Sequence, residues 1–165
     1  MKVSLEIFQT LGALIGFLTG AFTVYDRLLR YRPFVSIYAD PQDSNAWPYL
    51  RVTNAAPFDV FVNQIEIDPP LIALSQQTSE QAMADVLTGV PITAVIKVGD
   101  DAIFHIIQAP SATDAEKRPG ERIKISVSWR RSLSSSIRPI PATIYTSIDD
   151  LEERKRAAIG PGRRT

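Results

Sequence analysis

The chain has 165 residues, of which 45% are hydrophobic, and its 18 basic residues balance its 18 acidic residues. This length and composition fit one folded domain with an accessory segment and exclude an intrinsically disordered chain. The lack of cysteine and the single histidine exclude a disulfide framework, a thiol nucleophile, cysteine-ligated zinc and any site that needs two histidines of one chain.

Charge is spread unevenly along the chain. Between residues 34 and 145, twelve acidic residues outnumber nine basic ones, whereas both flanking segments carry a small positive excess. The folded part is therefore mildly acidic and offers no broad basic field to a polyanion. We expect no nucleic-acid partner.

The first segment is dominated by one long apolar run, Leu5–Tyr25, with no charged residue between Glu6 and Asp26. As a helix this run is about 31 Å long, close to the roughly 30 Å of a bilayer's hydrocarbon core. The sequence therefore predicts an N-terminal transmembrane helix, with the lipid bilayer as a partner.

Three other interpretations of the run fit less well. A cleaved signal peptide would need a shorter apolar region and a small-residue cleavage site. An interfacial amphipathic helix would need a charged face. A soluble core helix would need a partner layer that the rest of the chain hardly supplies.

One face of this helix gathers small residues. Gly12, Gly16 and Gly20 form two overlapping G-x-x-x-G units, and Gln9, Thr19 and Thr23 fall within the same arc of the helical wheel. Small residues let two helix backbones approach closely, and polar side chains can bond across such an interface. We expect self-association, or packing on another membrane protein, through this face.

Positive charge follows the run more than it precedes it. Arg27, Arg30 and Arg32 lie directly after it, whereas only Lys2 and the α-amino group come before it. The positive-inside rule then places the C-terminal domain in the cytoplasm, with the helix in the inner (plasma) membrane.

After Pro33 the apolar pattern changes from helical to alternating, which is typical of β-strands. The sequence predicts strands at Phe34–Ala39, Tyr49–Thr53, Asp59–Ile67, Pro91–Val98, Ala102–Gln108, Arg122–Trp129 and Ala142–Ser147. A short helix is predicted at Ser79–Leu87, and Asp68-Pro69-Pro70 is expected to break the third strand. About seven short strands separated by turns predict an immunoglobulin-like β-sandwich.

The third predicted strand contains an irregularity. Val60 and Val62 face one way, with Gln64 expected beside them. Ile65 and Ile67 then need a β-bulge to stay in register.

The sequence divides the chain into a transmembrane helix with its basic flank (1–32), a β-sandwich (33–147) and a charged C-terminal tail (148–165). In residues 149–158 of the tail the acidic residues come first and the basic residues last, which is the order that a helix dipole favours.

Two stretches resemble the paired strand motifs of bacterial immunoglobulin-like domains: YLRVTNAAPFDVFV and PGERIKISVSWRR. The whole layout is similar to small single-pass bacterial membrane proteins of unknown function. The resemblance implies a β-sandwich behind one membrane helix, and it implies no active site or ligand.

Candidate catalytic and metal-binding groups have simpler structural interpretations. His105 lies in an apolar strand and is expected to be structural. Asp100 and Asp101 are adjacent in a turn, where their carboxylates point apart. Asp40 lies in a loop without the glycine and distal glutamate of a calcium site. We therefore expect no catalytic residue, metal, cofactor or small-molecule substrate.

A second basic group, Arg130, Arg131 and Arg138, brackets a serine-rich loop. These residues are candidates for contact with an acidic partner, although ordinary solvated charge is the commoner interpretation.

The expected function is that of a non-enzymatic, membrane-anchored β-sandwich protein that mediates protein–protein interaction or assembly. The alternative is a membrane-perturbing effector whose helices gather in the bilayer under control of the β-domain. A membrane-potential dye discriminates the two, since only the effector depolarises the membrane.

Overall fold

The computed structural model describes residues 2–28, 31–40, 47–76, 92–108, 120–131 and 139–159. Within the N-terminal helix, the side chains are described from Gln9 to Asp26. The predicted helix Ser79–Leu87, Arg30 and Arg138 lie outside the described residues, and so does the side chain of Arg27.

The described residues form eight strands and two helices, so the protein is mainly β. In chain order the elements are α1 (Lys2–Leu28), β1 (Phe34–Tyr38), β2 (Tyr49–Thr53), β3 (Val60–Asp68), β4 (Ile72–Ser75), β5 (Ala94–Ile96), β6 (Asp101–Gln108), β7 (Ile123–Arg130), β8 (Ala142–Thr146) and α2 (Ile148–Ile159).

The strands make two four-stranded sheets in which every pairing is antiparallel. Sheet A has the order β1-β2-β6-β4 and sheet B has the order β5-β3-β7-β8. Inward-facing side chains of both sheets fill one apolar core. Among the largest fully buried members are Leu50 and Phe104 of sheet A and Ile123 and Ile125 of sheet B.

The alternation predicted for β7 is confirmed. Its inward-facing residues are almost fully buried: Ile123, Ile125, Val127 and Trp129. β7 pairs with β3 on one side and β8 on the other, which explains why it has the most regular pattern in the chain. Strand β8 lies at the edge of sheet B.

The predicted β-bulge in β3 is present. The register shifts between Val62 and Gln64, so Asn63 has no partner position on β7. Ile65 and Ile67 then turn inward and pack against the core. The prediction for Gln64 was wrong, because the bulge comes one residue earlier and leaves this side chain exposed.

Strand β4 was missed in the sequence. It follows the strand break at Asp68-Pro69-Pro70, where Leu71 N–H donates to the Pro69 carbonyl at 2.8 Å and closes a tight turn. The turn carries the chain from sheet B to sheet A, where β4 pairs with β6. A four-residue strand behind two prolines has too little pattern to be distinguished from a loop.

The turn at Gly99 does not join a hairpin. Gly99 has the positive φ of 79° that glycine adopts without strain. Yet β5 pairs with β3 in sheet B, whereas β6 pairs with β2 and β4 in sheet A. The tight turn therefore carries the chain from one sheet to the other.

Helix α2 closes one side of the sandwich. Its first turn buries Ile148 and Leu151 in the main core, and Ser147 Oγ accepts from Asp150 N–H at 3.1 Å as an N-terminal cap. Arg154 donates to the Ile37 carbonyl of β1 at 3.4 Å. The helix that follows β8 is thereby also bonded to β1.

The transmembrane span predicted for the N-terminal run is not supported. No helix in the described part of the chain combines the length and the apolar character that crossing a bilayer requires.

Candidate functional site: α1 and its joint with the sandwich

Helix α1 does not pack along the sandwich. Every described side chain from Gln9 to Tyr25 is exposed. The exposed set includes large apolar side chains that are each more than half accessible: Leu11, Leu14, Ile15, Phe17, Leu18, Phe22, Val24 and Tyr25. This apolar surface has no cover within the described part of the chain.

The glycine face of α1 is equally open. Apart from the adjoining backbone of α1 itself, no described atom lies within 4 Å of the place where a Cβ would stand at Gly12, Gly16 or Gly20. Thr19 Oγ1 donates to the Ile15 carbonyl and Thr23 Oγ1 to the Thr19 carbonyl, both at 2.8 Å. These hydroxyls therefore satisfy their donors within their own helix, which lowers the cost of burying the face.

A small second core lies where α1 meets the sandwich. It contains the buried residues Ala56, Val60 and Trp129, with Tyr31 and Phe58 packed against them. Tyr31 and Phe58 meet edge to face, with ring centroids 5.4 Å apart and an interplanar angle of 79°. Trp129 Nε1 donates to the Ile140 carbonyl at 3.1 Å, so the buried indole has its partner.

Arg131 joins α1 to this second core. Its Nη2 donates to the backbone carbonyl of Asp26 at 2.6 Å. That carbonyl is in the last turn of α1, where carbonyls lack helical partners and where the helix dipole favours a cation. The guanidinium carbon also lies 4.8 Å from the Phe58 ring centroid and 5.4 Å from that of Tyr31.

The Nε of Arg131 is buried without an acceptor in the described ranges. The guanidinium therefore depends on the Asp26 carbonyl and on the two ring faces. Arg131, Tyr31, Phe58 and Asp26 are here called the joint.

Asn54 holds the loops beneath the joint. It is fully buried, and its Nδ2 lies within 2.9–3.1 Å of the carbonyls of Phe58, Ile96 and Lys97. Its Oδ1 accepts from Ala56 N–H at 2.9 Å. One amide thus ties the β2–β3 loop, which carries Phe58, to the turn after β5.

The site residues predicted from the sequence lie in different parts of the structure. Gly12, Gly16 and Gly20 are on one open face of α1, and Arg32 is exposed just after it. Arg130 and Arg131 are adjacent but differ, because Arg131 belongs to the joint whereas Arg130 ends β7 opposite Phe61.

Sequence reasoning missed Asn54, Tyr31 and Phe58. The one available signal for Asn54 was its place before Ala-Ala-Pro, since asparagine side chains often bond to the backbone two residues on. The aromatic partners of Arg131 come from distant parts of the chain, so no local pattern marks them.

His105 and the neighbouring polar groups lie on the outer face of sheet A. Register places Tyr38, Tyr49 and His105 side by side on adjacent strands, and Tyr49 and His105 meet edge to face with centroids 4.8 Å apart. Arg51 lies over the Tyr38 ring at 4.8 Å and 3.4 Å from Asp101. The group is a half-exposed aromatic and basic row.

The structure groups no three metal-ligating side chains among the described residues. A shallow depression of about 330 Å³ opens between β1 and β8, lined by Arg32, Pro33, Phe34, Val35, Ala142 and Thr143. Another of about 290 Å³ lies beside α2, lined by Trp47, Glu152, Lys155 and Arg156. Neither holds an arrangement of acid, base and nucleophile.

Comparison of the chain with known protein families, with curated proteins and with solved structures found no match.

Proposed function

We propose that the protein is a non-enzymatic, membrane-anchored β-sandwich that mediates protein–protein interaction or assembly, with α1 as its anchor. The observation that carries the proposal is the exposure of every described side chain from Gln9 to Tyr25. A helix with so much uncovered apolar surface needs an apolar environment that the described part of the chain does not provide.

The free energy gained by covering the exposed apolar side chains argues against α1 remaining in water. The eight large apolar side chains are each about half exposed, so covering them is worth roughly 1 kcal/mol each, or about 8 kcal/mol together. This is comparable with the whole folding free energy of a small domain, about 5–15 kcal/mol. The large side chains also spread over about half of the helical wheel, which lipid covers more readily than one protein groove does.

The proposed orientation follows from charge. Arg32 is exposed at the C-terminal end of α1, and Arg27 and Arg30 add to the same side of the apolar run. With the sandwich on the cytoplasmic side of the inner membrane, these cations face the anionic leaflet. A reporter enzyme active only outside the cytoplasm, fused after Thr165, should then be inactive, and activity would reverse the direction.

The strand order favours an immunoglobulin-like subtype. With β5 set aside, sheet A reads β1-β2-β6-β4 and sheet B reads β3-β7-β8. Lettered along the chain, these are the A-B-E-D and C-F-G sheets of an immunoglobulin constant domain. In this proposal β5 is an added short strand beside the third position. The resemblance to bacterial single-pass proteins stays a prediction.

The outer face of sheet A is the proposed surface for a protein partner. Tyr38, Tyr49 and Arg51 lie there, with Ile103 about half exposed. Tyrosine and arginine are enriched where protein interfaces concentrate their binding energy. Of the arginines around the serine loop that were named from sequence, Arg130 and Arg138 remain candidates for the same role, whereas Arg131 is engaged in the joint.

Membrane attachment is tested by flotation of the purified full chain with phospholipid vesicles, followed by alkaline extraction. Wild type is expected to float and to resist extraction. The pair Phe17→Asp and Leu18→Asp should remain at the bottom of the gradient, since it places two charges in the apolar surface. The control Ile103→Asp, on sheet A, should float like wild type. Wild-type protein that stays at the bottom would contradict the anchor.

A further inference from the structure

One end of the sandwich gathers the segments that adjoin α1. Val60 pairs with Ile96, and Phe61 pairs with Arg130, so the turn after β5 and the end of β7 lie at the same end as the β2–β3 loop. Trp129 bonds there to the Ile140 carbonyl. We call this the α1 end of the sandwich.

Two aliphatic side chains are exposed at the α1 end. Val98, in the Gly99 turn, is 55% accessible, and Ile140, before β8, is 46% accessible. Both lie in connections that carry the chain past the end of the sheets. A chain neighbour of each is exposed as well: Lys97 beside Val98, and Pro141 beside Ile140.

The joint holds α1 against this end. The 2.6 Å bond from Arg131 to the Asp26 carbonyl links the last turn of α1 directly to the end of β7. Tyr31, packed on Phe58, fixes the segment that follows. When the C-terminal end of α1 reaches a membrane surface, the α1 end of the sandwich has to reach it as well.

We propose that the α1 end of the sandwich docks on the bilayer, with Val98 and Ile140 at headgroup depth and Lys97 and Arg32 beside lipid phosphates. This inference rests on the proposed anchoring by α1 and adds a second contact of the same protein with the membrane. Shallow apolar contact combined with a few cations is how peripheral segments bind lipid surfaces.

The net charge of the α1 end determines whether docking there depends on anionic lipid. Asp59, Asp100 and Asp101 are exposed there together with Lys97 and Arg32, so the exposed charges leave no basic excess. Apolar contact therefore dominates over attraction to anionic lipid, and docking persists on vesicles of phosphatidylcholine alone.

The chain has no cysteine, which allows single labels to be placed without removing native thiols. The full-length variants Val98→Cys, Ile140→Cys and the control Ile103→Cys are labelled with an environment-sensitive fluorophore and reconstituted in phosphatidylcholine vesicles. A fraction of the lipid carries a nitroxide quencher in the headgroup. Ile103 is a matched control because it is 48% accessible and lies within β6 on the outer face of sheet A.

Labels at positions 98 and 140 are expected to lose most of their emission, whereas the label at 103 keeps it. Vesicle-bound protein with unquenched labels at 98 and 140 would overturn end-on docking while leaving the anchor intact. Equal quenching at all three positions would also overturn it, because the sandwich would then lie on its side. Protein that fails to float with the vesicles overturns both proposals.

Discussion

Asn54 is the side chain on which the geometry beside the joint depends most. It is fully buried, and both its Nδ2 and its Oδ1 bond to backbone groups, which belong to two separate segments. Its own backbone adds two more links, since its N–H donates to the Asp100 carbonyl and its carbonyl accepts from Gly99 N–H. A buried amide in this role is costly to remove because its partners are left without bonds.

Asn54→Ala should destabilise the sandwich by about 3 kcal/mol, since it removes the buried side-chain bonds to the Phe58, Ile96 and Lys97 carbonyls and to Ala56 N–H. The free energy of unfolding is measured by urea titration in detergent, with the fluorescence of Trp47 and Trp129 as the signal. The control Asn63→Ala removes a half-buried asparagine from the β-bulge, and we expect less than about 1 kcal/mol. Equal losses for both variants would contradict the role given to Asn54.

Arg131 and Arg130 offer a second comparison between neighbours. Arg131→Ala removes the bond to the Asp26 carbonyl and the contacts with the Tyr31 and Phe58 rings. Amide hydrogen exchange should quicken in the last turn of α1 and in residues 56–58, by a local free energy of about 1–2 kcal/mol. Arg130→Ala should leave exchange in both segments unchanged, and a similar effect of the two variants would show that the joint does not depend on Arg131.

At the scale of single elements, α1 and β3 each combine two patterns. In β3 the bulge at Asn63 lets Val62 and Ile65 both face the core although they are an odd number of residues apart. In α1 the large apolar residues and the glycines occupy different faces, and both faces are open. The bulge in β3 therefore directs more side chains into the core, whereas the separation of faces on α1 leaves the glycine face available for another helix.

Gly16→Ile should weaken self-association of α1 in a bacterial membrane two-hybrid assay, because a branched side chain prevents close approach of two backbones. The control Ala21→Ile also adds a bulky side chain to the exposed surface of α1, but on another face of the wheel. Its association should match wild type. Association that survives Gly16→Ile would remove the glycine face as a packing surface.

At the scale of the whole molecule, α2 completes the sandwich. Ile148 and Leu151 reach the main core from the segment after β8, and Arg154 reaches back to β1. The two sheets are therefore closed on one side by a helix from the charged C-terminal segment.

Leu151→Ala should cost about 3 kcal/mol, since a fully buried leucine leaves both a cavity and unburied area behind. Leu18→Ala is the matched control, because Leu18 is 57% accessible on α1 and touches none of the main core. Urea unfolding of the sandwich should be unchanged in that variant. A loss below about 1 kcal/mol for Leu151→Ala would contradict the place of α2 in the core.

Much of the β-structure could be predicted because burial imposes a local period on the sequence. The alternation of Ile123, Ile125 and Val127 and the bulge before Ile65 were both readable in this way. Which strand pairs with which was not readable, because the turn at Gly99 joins strands of different sheets with residues that also suit a hairpin.

The joint could be predicted only in part. Arg131 was marked by its charge, but its partners are far from it in the chain: Asp26 and Tyr31 lie in one segment and Phe58 in another. No fixed spacing in the sequence marks such a cluster, because it forms only when the separate segments pack together. The glycines of α1 needed no tertiary information, since a helix face is defined by local periodicity.

The pairing of strands across the two sheets has a consequence for how the chain reaches its native state. β1 with β2 and β7 with β8 are neighbours in the chain, but Val62 pairs with Trp129 and Leu50 with Phe104. Closing the long loops between these strands costs conformational entropy before the contacts can stabilise the chain. We therefore expect the slow folding that is typical of proteins with high contact order. Since Leu151 supplies part of the core, the sandwich is completed only after α2 leaves the ribosome. Helix α1 therefore leaves the ribosome long before the domain that follows it can fold.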